Sequence, residues 1–237
     1  MRWRAATARE VSSRVGSRCM SEDAGPNPHA DGTDCRADSS DTSDAVVTLR
    51  PARPEDAAAI RDIYAPFVRD SPATFRTDVP TTAELAEKIR AKRAVDEYPW
   101  YVAVSDAGGR DQEVVGYAYA SRLRDRAAYR WTVETSIYVD PATHRSGVGT
   151  RLYDRLLGTL RRQGYCSAYA ALGMPNPESE RFHERHGFER VGQFPAAGFK
   201  LGEWHDVVWY HRRLRDPDGD PDEPRPVSAV EQSTDEC

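Results

Sequence analysis

His144-Arg145-Ser146-Gly147-Val148-Gly149 follows the apolar run Ile137-Tyr138-Val139 and opens an amphipathic stretch, a placement suited to holding a pyrophosphate. Backbone N–H groups at a helix start lack intrahelical partners and carry partial positive charge, so anions settle against them. Gly147 and Gly149 let anion oxygens come close, and Arg145 can add charge-assisted hydrogen bonds. A strand-to-helix turn that needs glycine for geometry alone is the competing reading. A Walker loop is excluded because Thr150, not lysine, follows Gly149; a dinucleotide fingerprint is excluded because Leu152 stands where its third glycine belongs.

The other chemistry-bearing residue is Glu134, the one acid in Trp131-Thr132-Val133-Glu134-Thr135-Ser136-Ile137. Burial in such a strand would raise its pKa and make it a better proton acceptor. A solvent-facing glutamate on an alternating strand is the alternative. Cys19, Cys35, Cys166 and Cys237 show no metal-ligand spacing.

These residues need elements to hold them. Val46 to Arg50 reads as a strand, and Pro54 starts a helix with Ile60, Ile63, Tyr64, Phe67 and Val68 on its buried face. A second helix runs from Thr82 to about Val95, capped by Thr81 or Thr82. Strands at Trp100–Ser105 and Val114–Ser121 form a hairpin around Asp106-Ala107-Gly108-Gly109, and Trp131–Val139 is a fourth strand ended by Pro141. After the glycine loop, Val148, Leu152, Leu156 and Leu160 recur every four residues as a buried helical stripe. Gly164 breaks that helix. Tyr165–Leu172 is a strand, Pro177 to His186 a short helix closed by Gly187, and Phe188–Phe194 and Trp204–Arg212 are closing strands. The order βααβββαβαββ implies an α/β fold with a mixed central sheet, helices on both faces and ligands at its centre.

Charge divides the 237 residues into regions. Residues 1–20 sum to +4, 21–44 to −6 and 216–237 to −7, which leaves +4 on residues 45–215. The two acidic stretches hold few large apolar side chains and are expected to be disordered, with one domain over 45–215. Met20, just before the acidic lead, is an expected start of translation, which would make residues 1–44 a shorter extension. A mildly basic core without a basic, aromatic-interleaved stripe suits a small polyanion and argues against nucleic acid. No secretory segment or run of 18 apolar residues is present, so a cytoplasmic protein is expected, away from the membrane.

The element order and the loop resemble the GNAT superfamily of acetyl-CoA-dependent N-acetyltransferases. That family's loop is usually Gln/Arg-x-x-Gly-x-Gly/Ala; His144 stands at its first position here. Ala73-Thr74-Phe75-Arg76, Tyr98-Pro99-Trp100, Ala128 to Glu134, Pro175-Asn176, and Ala196-Ala197-Gly198-Phe199-Lys200 running on to Trp204-His205-Asp206 are similar to phosphinothricin acetyltransferases and related methionine sulfoximine/sulfone acetyltransferases. The resemblance spans about Leu49 to Trp209.

The resemblance implies splayed fourth and fifth strands, with the pantetheine of acetyl-CoA along Ile137, Tyr138 and Val139. The pyrophosphate would lie on amides from Arg145 through Ser146, Gly147, Val148 and Gly149 to Thr150, with His144 and Asn176 also on the cofactor. It places the catalytic base at Glu134 and offers His183 as the acid that protonates the departing thiolate. A backbone N–H near Tyr138 or Val139 would hold the thioester oxygen. Arg124, Arg126 and Tyr129 would grip an acidic amino-acid substrate, with Phe75 and Trp131 as walls and His205, positioned by Asp206, orienting substrate or relaying a proton. A homodimer is expected from the same source. The implied activity is acetyl transfer to the α-amine of phosphinothricin-like or methionine sulfoximine/sulfone-like amino acids. Acetylation of another small amine and a non-catalytic acyl-CoA sensor are the rivals; like-charge repulsion from Arg124 and Arg126 argues against polyamines.

Overall fold

Period-two alternation in the strands and four-residue spacing in the helices sort the apolar side chains onto two faces of one sheet. The computed structural model describes residues 46–106, 113–143, 146–216 and 219–231. In chain order the elements are β1 (Val46–Pro51), α1 (Ala57–Asp70), α2 (Thr82–Val95), β2 (Trp100–Asp106), β3 (Glu113–Arg122), β4 (Thr132–Val139), α3 (Val148–Gln163), β5 (Ser167–Gly173), α4 (Pro177–Arg185), β6 (Glu189–Lys200), β7 (Glu203–Arg213) and α5 (Val227–Glu231). The seven strands lie in the order β1-β2-β3-β4-β5-β7-β6. Every neighbouring pair is antiparallel except β4 and β5.

That parallel pair controls the centre of the molecule. It holds only Thr132↔Ser167, Val133↔Ala168 and Glu134↔Tyr169, after which the strands diverge. On one sheet face α3 buries the expected stripe of Val148, Leu152, Leu156 and Leu160 against Tyr101, Val133 and Ala168. On the other, Ile60 and Ile63 of α1 and Leu85 and Ile89 of α2 pack on Trp100, Val102 and Tyr117. Each such aliphatic side chain contributes about 1.5–3 kcal/mol by leaving water. Tyr64 and Phe67, expected on the buried face of α1, lean edge-on to Tyr138, with ring centroids 4.9 and 5.2 Å away.

Local sequence explains the element ends. Pro54 begins a 3-10 turn rather than α1 itself; there Asp56 takes two 2.7 Å bonds from Arg50 and one from the Arg53 N–H. Thr81 caps α2 through a capping box: its hydroxyl accepts from the Glu84 N–H, and Glu84 accepts from the Thr81 N–H. The closing strand β6 runs to Lys200, past the expected Phe194, because a bulge between Phe194 and Gly198 lets it resume pairing.

The expectation of a disordered tail over 216–237 does not hold for residues 219–231. Val227–Glu231 is helical and Val230 is 1% exposed. The Arg225 N–H donates to the Gln163 carbonyl (2.7 Å), and Gln163 Nε2 donates back to the Arg225 carbonyl (2.8 Å). Trp131 Nε1 donates to the Asp222 carbonyl and Tyr101 to Glu231. Prolines 224 and 226 restrict the unbound chain, so these bonds and one buried valine offset a reduced ordering cost. The residues before 46 and the hairpin turn at 107–109 lie outside the described residues. Among the described residues no helix is long and apolar enough to cross a membrane.

Candidate active site

The divergence of β4 from β5 opens a cleft of about 500 Å³, lined by Ser136–Val139 on one side and Ala170–Leu172 on the other. Strand alternation fixes which backbone groups face it. The Trp131 carbonyl is turned to β5, accepting from the Cys166 N–H (2.9 Å), whereas the Asp140 N–H is turned to β3, donating to the Val115 carbonyl (2.9 Å). The odd-numbered Ile137 and Val139 therefore present N–H and C=O to the gap, and Tyr138 presents its own to β3. The Tyr138 N–H, one of the two expected to serve a thioester oxygen, therefore faces β3 and not the gap.

At the far end of the cleft stand Gly147, Val148, Gly149 and Thr150, the start of α3. The first intrahelical bond there is from the Arg151 N–H to the Gly147 carbonyl, and among the described residues no side chain caps the helix. The amides of residues 147–150 are thus left for a ligand. Gly147 has φ 79°, where a side chain is strained, and a Cβ on Gly149 would sit 3.3 Å from Phe182. Ser146 turns its hydroxyl back to the Thr143 carbonyl (2.6 Å). Asn176, on the cleft wall, caps α4 by accepting from the Ser179 N–H. His144 and Arg145 lie outside the described residues.

A second cavity, of about 400 Å³, opens on the α1–α2 side of β4. Glu134, Ser136 and Tyr138 reach it because they share one face of the strand. The two cavities meet at Ala73, Ser136, Tyr138 and Ala171. Burial raises the Glu134 carboxyl above its ordinary range, and the Arg124 guanidinium opposes that shift only in part. Glu134 lies in the cavity wall with Trp100, Tyr117, Tyr119 and Phe75. An acid held in this setting can take a proton from an incoming ammonium.

A helix start with open amides at the end of a split between parallel strands, beside a half-buried acid, is an acyl-transfer architecture. Residues 49–209 match the acetyltransferase (GNAT) domain. The chain belongs to the GNAT acetyltransferases. Phosphinothricin N-acetyltransferase of Streptomyces viridochromogenes is 39% identical over 186 residues, covering 78% of this chain and 96% of the relative. The L-methionine sulfoximine/L-methionine sulfone acetyltransferase of Salmonella typhimurium is 34% identical over 168 residues, 71% of this chain and 95% of the relative. The crystal structure of a GNAT superfamily phosphinothricin acetyltransferase from Sinorhizobium meliloti in complex with AcCoA aligns with TM-score 0.68 at 35% identity, covering 75% of this chain and 94% of that one.

Within this GNAT site the remaining expected residues fall unevenly. His183 reaches the cleft but is 4% exposed, packed edge-on to Tyr153 and Phe188. Its Nδ1–H donates to the Ser179 carbonyl at 2.8 Å, and burial pushes its pKa down to about 4. At neutral pH the ring holds one proton, already committed, and has none on Nε2 to give a thiolate. His205 is likewise a strut. Its two ring nitrogens each lie 2.9 Å from a carbonyl oxygen, of Met174 and of Lys200, tying the end of β5 to the β6–β7 turn. Asp206 is not on the His205 ring; its carboxylate accepts from the Ala196 N–H (2.7 Å) and from Gln193.

Phe75 does wall the second cavity, wedged over Gly198, where a Cβ would come within 2.3 Å of its ring. Arg124 stacks over Trp209, 5.6 Å from the ring centroid, near enough to Glu134 to act on its charge. Arg124 and Arg126 both line a separate cavity with Arg122, Arg130 and Glu223, not the Glu134 cavity; Tyr129 is exposed on a 3-10 turn and lines neither the cleft nor the Glu134 cavity. Trp131 faces the C-terminal segment through Asp222. Sequence reasoning missed Arg76 and Lys88 in the Glu134 cavity, and Lys200, which holds that cavity's loop. Arg76 sits within the Ala73-Thr74-Phe75-Arg76 segment that carries the resemblance, yet no spacing ties it to Glu134. Among the described residues no group of three potential metal ligands occurs.

Proposed function

We propose that this protein is an acetyl-CoA-dependent N-acetyltransferase acting on the α-amine of phosphinothricin-like or methionine sulfoximine/sulfone-like amino acids by direct transfer. The observation that carries the reading is the junction at Ser136 and Tyr138, where a cleft with free backbone amides meets a cavity holding a raised-pKa carboxyl. The names and identities of the relatives above support the acceptor class.

Acetyl-CoA, when bound, supplies a thioester carbonyl open to attack by an amine. The residues suited to hold it are the amides of Gly147 to Thr150 for pyrophosphate and the backbone of Ile137 and Val139 for the pantetheine arm, with open space at Gly147, where a Cβ would meet no atom within 4 Å. Glu134 accepts the proton from the acceptor ammonium, leaving a neutral amine. The N–H of Val139 or Ile137 donates to the carbonyl oxygen as it gains charge. His183, neutral and committed to Ser179, orders the cleft wall, and the departing sulfur takes its proton from water in the open cleft. Arg124 holds positive charge beside Glu134, which favours an acidic acceptor over a polyamine.

The same reading takes residues 45–215 as the catalytic domain and the protein as a cytoplasmic homodimer. Support for the dimer is the row of exposed apolar side chains on β6, β7 and their turn: Val191, Phe194, Phe199, Leu201 and Trp204, each more than half exposed. Light scattering on the eluting protein checks the stoichiometry. Thiol release from acetyl-CoA with a panel of amines tests the activity: turnover with phosphinothricin or methionine sulfone is expected. Turnover confined to other amines would replace the substrate class, and cofactor binding without turnover would leave a sensor.

A further inference from the structure

The Glu134 cavity carries two cations that the transfer chemistry leaves unused. Arg76, from the loop between α1 and α2, and Lys88, from α2, both line it. Lys88 Nζ lies 5.0 Å from the Tyr119 ring centroid and 5.6 Å from that of Trp100. Both side chains are exposed to the cavity mouth, and neither donates a side-chain hydrogen bond or forms an ion pair among the described residues. This contrasts with Lys92, one helical turn further along the same face. Lys92 Nζ lies 5.1 Å from the same Tyr119 ring centroid, yet its ammonium is spent on the Ala120 carbonyl.

Two acids share the cavity wall. Glu134 is the proton acceptor; Glu84 feels the charge of Arg76 but forms no ion pair with it, its Oε2 taking bonds from the Thr81 N–H at 2.7 Å and hydroxyl at 2.9 Å. A cavity with an acid at the acetyl-transfer end and, elsewhere in its wall, two cations without a side-chain hydrogen bond or ion pair among the described residues matches a molecule that carries an amine and a carboxylate together. Resting on the substrate reading above, we infer that Arg76 and Lys88 form an anion subsite that binds the α-carboxylate of the acceptor amino acid. Arg76 can offer a planar pair of N–H donors and Lys88 a point charge on an aromatic platform. The subsite would orient the acceptor so that its amine faces Glu134, and it would discriminate against amino-acid amides and simple amines.

The test compares methionine sulfone with its carboxamide, and phosphinothricin alone, in the wild type and in K88M, K88R and R76M. Initial rates of thiol release give acceptor KM values, and the KM for acetyl-CoA reports whether the site is otherwise intact. K88M and R76M are each expected to raise the KM for the free acid about tenfold or more and to leave that for the carboxamide within about twofold. The acid-over-amide preference then collapses, while K88R keeps most of it and the acetyl-CoA KM stays put. If the wild type is active and both neutral variants keep the full preference, the subsite is wrong and the substrate reading stands. If the wild type turns over no acidic amino acid, the substrate reading falls. Calorimetric titration of phosphinothricin into the coenzyme A complex then decides the subsite separately: equal affinity for wild type and K88M overturns it.

Discussion

Lys200 is the residue whose removal should most clearly connect fold to acceptor binding. It is 7% exposed, and its ammonium donates to three carbonyls, of Phe67 (3.2 Å), Ser71 (2.7 Å) and Thr74 (2.6 Å). These belong to the last turn of α1 and the loop that carries Phe75 and Arg76 into the Glu134 cavity. K200M keeps the side chain's length and apolar stem and deletes the donors. A hydrogen bond to a charged group contributes about 1.5–3 kcal/mol, but three on one ammonium share a single desolvation cost, and half-buried carbonyls regain water. The net loss should be about 2–4 kcal/mol. For a domain of this size each kcal/mol moves Tm roughly 2–4 °C, so a fall of about 4–16 °C is expected in a thermal melt. The KM for the acceptor should rise severalfold with the loop loosened, and that for acetyl-CoA should hold, because the α3 amides are built elsewhere. A melt within about 2 °C of wild type, or equal rises in both KM values, would refute the clamp.

Glu134→Gln should lower kcat/KM about 10²- to 10⁴-fold and flatten the limb that rises with pH as the raised carboxyl ionises, which a pH–rate profile reads directly. Ending the chain after residue 221 removes Val230 and the paired Arg225–Gln163 bonds; a loss of roughly 2–4 kcal/mol is expected from urea midpoints, and an unchanged midpoint would mean the segment does not dock. Gly149→Val puts branched carbon against Phe182 and Val139, at 3.3 and 3.6 Å from the first added atom, so coenzyme A affinity should fall about tenfold or more by calorimetry. His183 is held neutral with its pKa lowered from 6.5 to about 4, so between those values the unfolded chain binds more protons and stability falls as pH drops. The loss is about 3 kcal/mol at most, and His183→Gln should show a smaller drop in Tm from pH 7.5 to pH 4.5 than wild type.

What the sequence made legible is what local periodicity encodes. The element order, the α3 stripe and the placement of Glu134 on a half-buried strand follow from spacings of four and two, and the glycines mark the helix start that the cleft uses. The parts that stayed hidden depend on distant segments meeting. Arg76 and Lys88 come to Glu134 from α2 and the loop before it, 58 and 46 positions earlier in the chain. Acidic composition suggested that the C-terminal stretch could not order itself; it missed that one valine and the paired bonds between the Arg225 backbone and the backbone and side chain of Gln163 help order a segment stiffened by proline. Histidine roles were the hardest to read, because tautomer and partner decide them: His183 spends its proton on Ser179 and His205 braces two carbonyls.

The strand β4 explains why the two halves of the site can change independently. Its odd residues turn backbone groups into the gap and side chains toward α3, so what the cleft offers a cofactor there is peptide, common to nearly any sequence. Its even residues turn backbone to β3 and side chains toward α1 and α2, where Glu134, Ser136 and Tyr138 meet Arg76, Lys88 and Phe75. Substitution at Ile137 or Val139 is therefore constrained by packing on α3, while substitution at Ser136 or in the α1–α2 loop changes the wall of the Glu134 cavity. The short parallel pairing that ends at Glu134 makes both possible: three residues later the ladder would run past Ile137 and close the cleft.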